Sequence, residues 1–325
     1  MAQNPRTTEI ESSTTTDRNT RLTRRSYVRS LAAVATATTV AGASTTAVAA
    51  DDGAGSSGSY ETIEISAGED RTIDVESGET FENVLIDCTA EGARATVAAH
   101  GTDWTIRNVA IEGQFDVGAP GAAFGVSDTG GGTSTFENVY LADGSVDGGQ
   151  DTAETGIWVS PEHTGHIDFS RVNVQSFPDN GIYASAPGGA GGGTVHIDSC
   201  FAANCYVSHY RIGSAGSKVT NSSVLIDDDG YDGRGIWVWA PGTCEIEGCQ
   251  LETNAHHYAI VAGANGSGTT AEVTDTDYGT GFHEGIAERD GSTVSLADDV
   301  GTDPEAFVPE GCPTTPEDAV AGSSD

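Results

Sequence analysis

Apolar and polar positions alternate in short runs through most of this chain. In residues 101–113, Trp104 and Ile106 alternate with polar neighbours, Asn108 interrupts, and Val109 and Ile111 resume the alternation. Two short strands joined by one bend are predicted. Aligned on the apolar residue after the bend, the pattern returns at Val84, Val109, Val139, Val172, Cys200, Ser223, Cys249 and Thr276. Two residues further on stand Ile86, Ile111, Leu141, Val174, Ala202, Leu225, Leu251 and Tyr278. Steps between anchors run from 23 to 33 residues, so the chain is a repeat array.

A second track lies between the anchors: Gly156-Ile157-Trp158-Val159, Gly181-Ile182-Tyr183-Ala184 and Gly235-Ile236-Trp237-Val238. Each period then holds three strands of about four residues, able to stack on their equivalents in neighbouring coils about 4.8 Å away. The expectation is an all-β, single-stranded parallel β-helix of about eight coils over residues 60–300. The Asn108 and Asn138 bends and the Gly-Ile-x-Val strands resemble those of the right-handed parallel β-helices of the pectate-lyase-like superfamily. That resemblance implies a solenoid whose first strands face a polysaccharide groove. Fold alone does not fix chemistry.

Residues 1–50 read as an export segment rather than part of the fold. Thr23-Arg24-Arg25-Ser26-Tyr27-Val28-Arg29 precedes a small-residue apolar run and then Ala47-Val48-Ala49-Ala50, the order of a twin-arginine signal with an Ala-x-Ala cleavage site. A secreted, extracellular protein follows from this reading. Residues 51–59 read as a flexible linker, and residues 301–325, rich in Pro, Asp, Glu and Ser, as an acidic tail with Phe307 and Val308 as its apolar points. No later apolar run is long enough to span a membrane.

Removing residues 1–50 leaves 8 basic against 46 acidic residues, a net charge of −38. Such a surface repels nucleic acid and anionic membranes. The composition resembles that of secreted haloarchaeal proteins, whose carboxylates are screened by concentrated salt. Of the six cysteines, Cys200 and Cys249 hold the same place two coils apart, about 9.6 Å. A bridge reaches only about 7 Å, so buried free thiols are expected there, although export permits disulfides elsewhere. Asn221 and Asn265 open Asn-x-Ser sequences that fit glycosylation acceptors.

The candidate chemistry lies on the first strand of each coil. With Ile157 and Val159 inward, Trp158 faces out, and the same alternation turns Tyr183, Trp237 and Trp239 outward. With Tyr210 inward, His209 and Arg211 are expected outside, since the opposite register would bury two polar groups. Aromatic rings beside a cation suit sugar faces and their charged substituents, so an extracellular polysaccharide is the expected partner. The loop before the Trp237 strand carries Asp227, Asp228, Asp229 and Asp232 with glycines between them. These are hard oxygen ligands suited to Ca²⁺; a second acidic loop, residues 143–154, precedes the Trp158 strand.

In the lyases of the resembled superfamily, Ca²⁺ and a basic residue neutralise a uronate carboxylate, and an Arg or Lys abstracts the C5 proton. The positions here that could take those roles are Arg211 or Arg234, with His209 as another base. The Trp-Ile-Asp-His strand motif of those lyases, and the Gly-His-Gly motif of related polygalacturonases, do not occur in this chain. Three functions stay open: a uronate lyase or hydrolase, a non-catalytic carbohydrate-binding protein, and an adhesin or other structural solenoid of the cell surface.

Overall fold

The computed structural model describes residues 59–114, 121–145, 154–264 and 266–321. The export segment, the linker up to residue 58 and the middle of the 143–154 loop lie outside the described residues.

The chain is a right-handed parallel β-helix of about eight turns. One sheet stacks β1 (Glu61–Glu64), β3 (Thr80–Asp87), β5 (Thr105–Glu112), β7 (Thr133–Leu141), β9 (His166–Gln175), β11 (Thr194–Asp198), β14 (Lys218–Thr220), β17 (Gly242–Glu247), β20 (Thr269–Thr274) and β23 (Thr293–Leu296). From the fifth coil on, its far half separates into β12 (Phe201–Ala203), β15 (Ser223–Leu225), β18 (Gln250–Glu252) and β21 (Asp277–Tyr278). The other sheet stacks β2 (Asp70–Asp74), β4 (Arg94–Ala99), β6 (Gly121–Val126), β8 (Glu154–Val159), β10 (Asn180–Ala184), β13 (Ser208–Ile212), β16 (Arg234–Val238), β19 (Ile260–Ala262) and β22 (Ile286–Glu288).

The bend within each coil is a left-handed residue. Asn83, Asn108 and Asn138 have φ of 58°, 54° and 52°, and Arg171, Ser199, Asn221, Gly248 and Asp275 continue the series. Asn reaches this region at low cost, and its amide adds a second benefit. Asn108 Nδ2 donates to Asn83 Oδ1 at 2.9 Å and Asn138 Nδ2 to Asn108 Oδ1 at 2.8 Å, so the first three bends are laced together. Beyond the bend, Val84, Val109, Val139 and Val172 stack in register within the core, as the spacing predicts.

One anchor is displaced from its expected place. Asn221 is itself the bend of its coil, so Ser222, not Ser223, is the equivalent of Cys200 and Cys249. Val224, not Leu225, pairs with Ala202 and Leu251 and is fully buried. The reason is local: the bend tips the following amide out of the ladder, and a side chain one coil on accepts from it. Cys200 N donates to Ser222 Oγ (3.0 Å), Cys249 N to Thr276 Oγ1 (3.2 Å) and Val172 N to Cys200 Sγ (3.4 Å). Small polar and thiol residues at this position satisfy buried donors. All six cysteines are free and buried, and burial pushes the thiols of Cys205 and Cys249 up to about 12.

Residues 302–321 do not leave the solenoid as a tail. They run back along the outside of the coils as a strap. Glu305 N donates to Gln250 Oε1 (2.8 Å) and Phe307 N to Ser223 Oγ (3.1 Å). Cys312 packs with Phe201, Ala203 and Val308, and Pro313 O accepts from Asn173 Nδ2 (2.8 Å). The strap ends in α1 (Pro316–Val320), started by Pro316 and a reciprocal cap between Thr315 and Asp318. Ala319 and Val320 of α1 cover Leu85, Ala110 and Tyr140 on the first coils, and Ala319 O accepts from Asn138 Nδ2 (2.9 Å). Of the two apolar points expected to pack, Val308 does so against the Phe201, Ala203 and Cys312 cluster, whereas Phe307 is 54% exposed.

Candidate functional site

Trp158, Tyr183, Arg211 and Trp237 stand in register on β8, β10, β13 and β16, so four consecutive coils place them in one outward file. The glycines of the Gly-Ile pairs explain the local backbone. A Cβ at Gly156 would fall 2.7 Å from Val174 Cγ2 and 2.8 Å from Gly181 O, and one at Gly181 would fall 2.8 Å from His209 O. The strand turns inward here and leaves no room for a side chain.

His209 occupies the register position of those glycines, between Gly181 and Gly235. It is therefore not on the outer face, contrary to the expectation from alternation. It is fully buried, its Nδ1 donates to Arg234 O (2.8 Å) and its Nε2 accepts from Cys205 N (3.3 Å). Burial holds its pKa down at about 4. With both nitrogens committed to backbone, the imidazole is neutral and sealed from any ligand.

Arg211 does face outward. Its guanidinium carbon lies 3.7 Å from the Trp239 ring centroid, 4.4 Å from Tyr183 and 4.7 Å from Trp237. The side chain is 9% exposed, and its Nε is sealed from water with no acceptor. Arg234, the next candidate, lies 4.3 Å from the Trp237 ring and donates from Nη1 to Val207 O (3.0 Å). Arg289, which alternation and motif did not single out, brings a third guanidinium to 5.9 Å from the same ring.

The aromatic file is less open than expected. Trp158 and Trp237 are each 5% exposed, and Trp237 is held edge-on to Trp239 at 4.7 Å with its Nε1 donating to Gly263 O (3.1 Å). Tyr183 and Trp239 are half-buried and supply the reachable ring surface. On the last coils, His257, Tyr258, Phe282 and His283 form a second aromatic group, with Tyr258 and Phe282 4.9 Å apart edge to face. Burial, then Arg234 and Arg289, push His257 down to about 3, so it adds no charge to the arginines.

The electrostatic setting gives the arginines their meaning. The described residues contain all 8 Lys and Arg that follow residue 50. Arg71, Arg94, Arg107, Arg171 and Lys218 are ion-paired with Glu69, Asp70, Glu82, Glu137 and Glu245. The other three converge on Trp237, and Arg211 and Arg289 meet no carboxylate among the described residues. In a chain of net charge −35, three guanidiniums gathered around one ring concentrate positive charge on this face.

The aspartate loop does not assemble a cation cage. Asp227 Oδ1 accepts from Asn204 Nδ2 (2.8 Å), Asp228 Oδ1 accepts from Gly230 N (2.8 Å), and Asp229 reaches toward His256 at 3.6 Å. Asp232, like the other three, is exposed. Among the described residues no three His, Cys, Asp or Glu side chains gather as a metal site. In the second acidic loop, Asp143 accepts from Tyr140 Oη (2.7 Å) and Gly113 N (2.7 Å), a structural use.

No helix among the described residues is long and apolar enough to cross a membrane. Comparison with known proteins gives no match to a family model, a curated protein or a solved structure.

Proposed function

We propose that this is an extracellular carbohydrate-binding β-helix protein. Its ligand is an anionic polysaccharide of the uronate class, lying along the outer face of β10, β13 and β16. The observation that carries the reading is Arg211, a nearly buried guanidinium framed by three rings and lacking any carboxylate. A sugar carboxylate would supply the missing counter-charge, while Tyr183 and Trp239 offer faces to the apolar C–H side of the rings. Binding is favoured over lyase chemistry because both nitrogens of His209 are committed to backbone partners.

The test is retention of the purified protein on immobilised polygalacturonate, alginate and neutral dextran in molar NaCl. Retention by the uronate chains alone is expected, and Arg211→Ala should weaken it about tenfold, the scale of one charge-assisted contact, with the unfolding midpoint checked in parallel. Equal retention on dextran, or no effect of Arg211→Ala, would overturn the reading. Ultraviolet absorbance from unsaturated sugar ends in the same incubations would move the assignment to a lyase.

A further inference from the structure

The strap is docked against charges of its own sign. Asp87 at the end of β3 and Glu112 at the end of β5 are register partners, Asp143 after β7 is bonded to Gly113 and Tyr140 beside them, and α1, which carries Glu317, packs on Leu85, Ala110 and Tyr140, so four carboxylates from three coils and the strap share one face. Burial first, then Asp87, Glu317 and Asp143, push the Glu112 carboxyl up, and no basic group offsets them. Among the described residues none of the four is ion-paired with Lys or Arg. Asp318, the other acid of α1, is occupied by Thr314 and Thr315 at the cap.

What holds the strap down is modest. Ala319 and Val320 rest on Leu85, Ala110 and Tyr140, Cys312 on Phe201 and Ala203, and four side chains, Asn138, Asn173, Ser223 and Gln250, bond to strap backbone. Apolar burial and hydrogen bonds depend weakly on ionic strength, whereas repulsion among exposed or half-exposed carboxylates is screened within about 3 Å at 1 M salt and reaches about 30 Å at 0.01 M. The two sides of the balance therefore respond differently to salt.

We infer that the C-terminal strap is a salt-operated latch, which closes over the first coils when Asp87, Glu112, Asp143 and Glu317 are screened and lifts, with the coils still folded, when they are not. Lifting uncovers the Leu85, Ala110 and Tyr140 face and the amides of Asn138 and Asn173. This inference is independent of the carbohydrate reading, because the strap lies along the bend side of the coils and Arg211 on the other sheet.

Cys312 provides the readout. It is the strap's own thiol, 6% exposed while docked, whereas Cys88, Cys200, Cys205, Cys244 and Cys249 lie in the coil core. The full chain, refolded in molar NaCl and diluted stepwise, is treated with dithionitrobenzoate, and the labelled peptide is identified by mass. One reactive thiol, mapped to Cys312, is expected at low salt while the far-ultraviolet circular dichroism still shows β-structure. In Glu317→Gln the salt concentration at half-protection should fall at least about twofold, since the change removes one of the four repelling charges. The inference is overturned if no thiol reacts at low salt, if all six react together with loss of the fold, or if Glu317→Gln leaves the midpoint in place.

Discussion

His209 shows how strand alternation loses its authority at a single residue. Counting outward and inward positions from Tyr210 is sound along a straight strand, but the strand turns at the glycine register and carries His209 into the corner. The clue in the sequence was its alignment with Gly181 and Gly235, positions that admit no outward side chain. Its burial has a pH consequence. The folded pKa is about 4 against an ordinary 6.5, so the fold refuses a proton that the unfolded chain accepts. This contribution is full above about pH 6.5 and shrinks as pH falls toward 4, by about 3 kcal/mol in all. His209→Asn should flatten the fall in unfolding midpoint between pH 7 and pH 4.5, measured in molar salt; an unchanged slope would place the acid sensitivity elsewhere. Arg211, Tyr183 and Trp237 were legible because they sit beyond the turn, where alternation resumes. Arg289 was not, since it belongs to the last coil and reaches the file only through the stacking of coils.

At the level of the elements, the bends are readable from Asn108 and Asn138 and blur once Arg171, Ser199 and Asp275 take over the same left-handed place. Asn221 offers two signals, an Asn-Ser-Ser acceptor sequence and a left-handed bend (φ 49°), and anchoring that coil on Ser223 shifts its register by one. Replacing Asn108 with Ala should cost about 2 kcal/mol, from left-handed strain and the lost amide bonds to Asn83 and Asn138. Asn108→Gly should recover the backbone part, so urea midpoints ordered wild type, Gly, Ala are expected, and an Ala variant equal to Gly would count against strain at the bend. Val139 lies fully buried in the ladder between Val109 and Val172. Val139→Asp would bury an unpaired charge and should leave no cooperative unfolding transition; a folded variant would refute the ladder. The strap was the element least visible beforehand. Its Pro, Asp and Glu composition reads as solvated chain, and it is held by three side-chain amides and one hydroxyl scattered over four coils, which no periodicity in its own residues announces.

For the whole molecule, charge governs. With −38 after residue 50 and five of eight cations spent on local pairs, self-repulsion opposes the compact state unless it is screened. The thermal midpoint should climb steeply between tens of millimolar and molar NaCl, and a midpoint indifferent to salt would show that the acidic surface carries no such penalty. The strap also settles where the ends of the described chain lie. Tyr60, just before β1, packs beside Ala319 and Val320, so the entrance and the exit of the fold meet at one pole. A tether at either terminus would grip that pole and leave the later coils, with the arginine knot, pointing away from the attachment. Tension applied between the two termini would not stretch the stack of coils. It would peel α1 and then the strap, one coil at a time, as a lap joint is peeled, and the coils themselves would bear load only after the strap had come free.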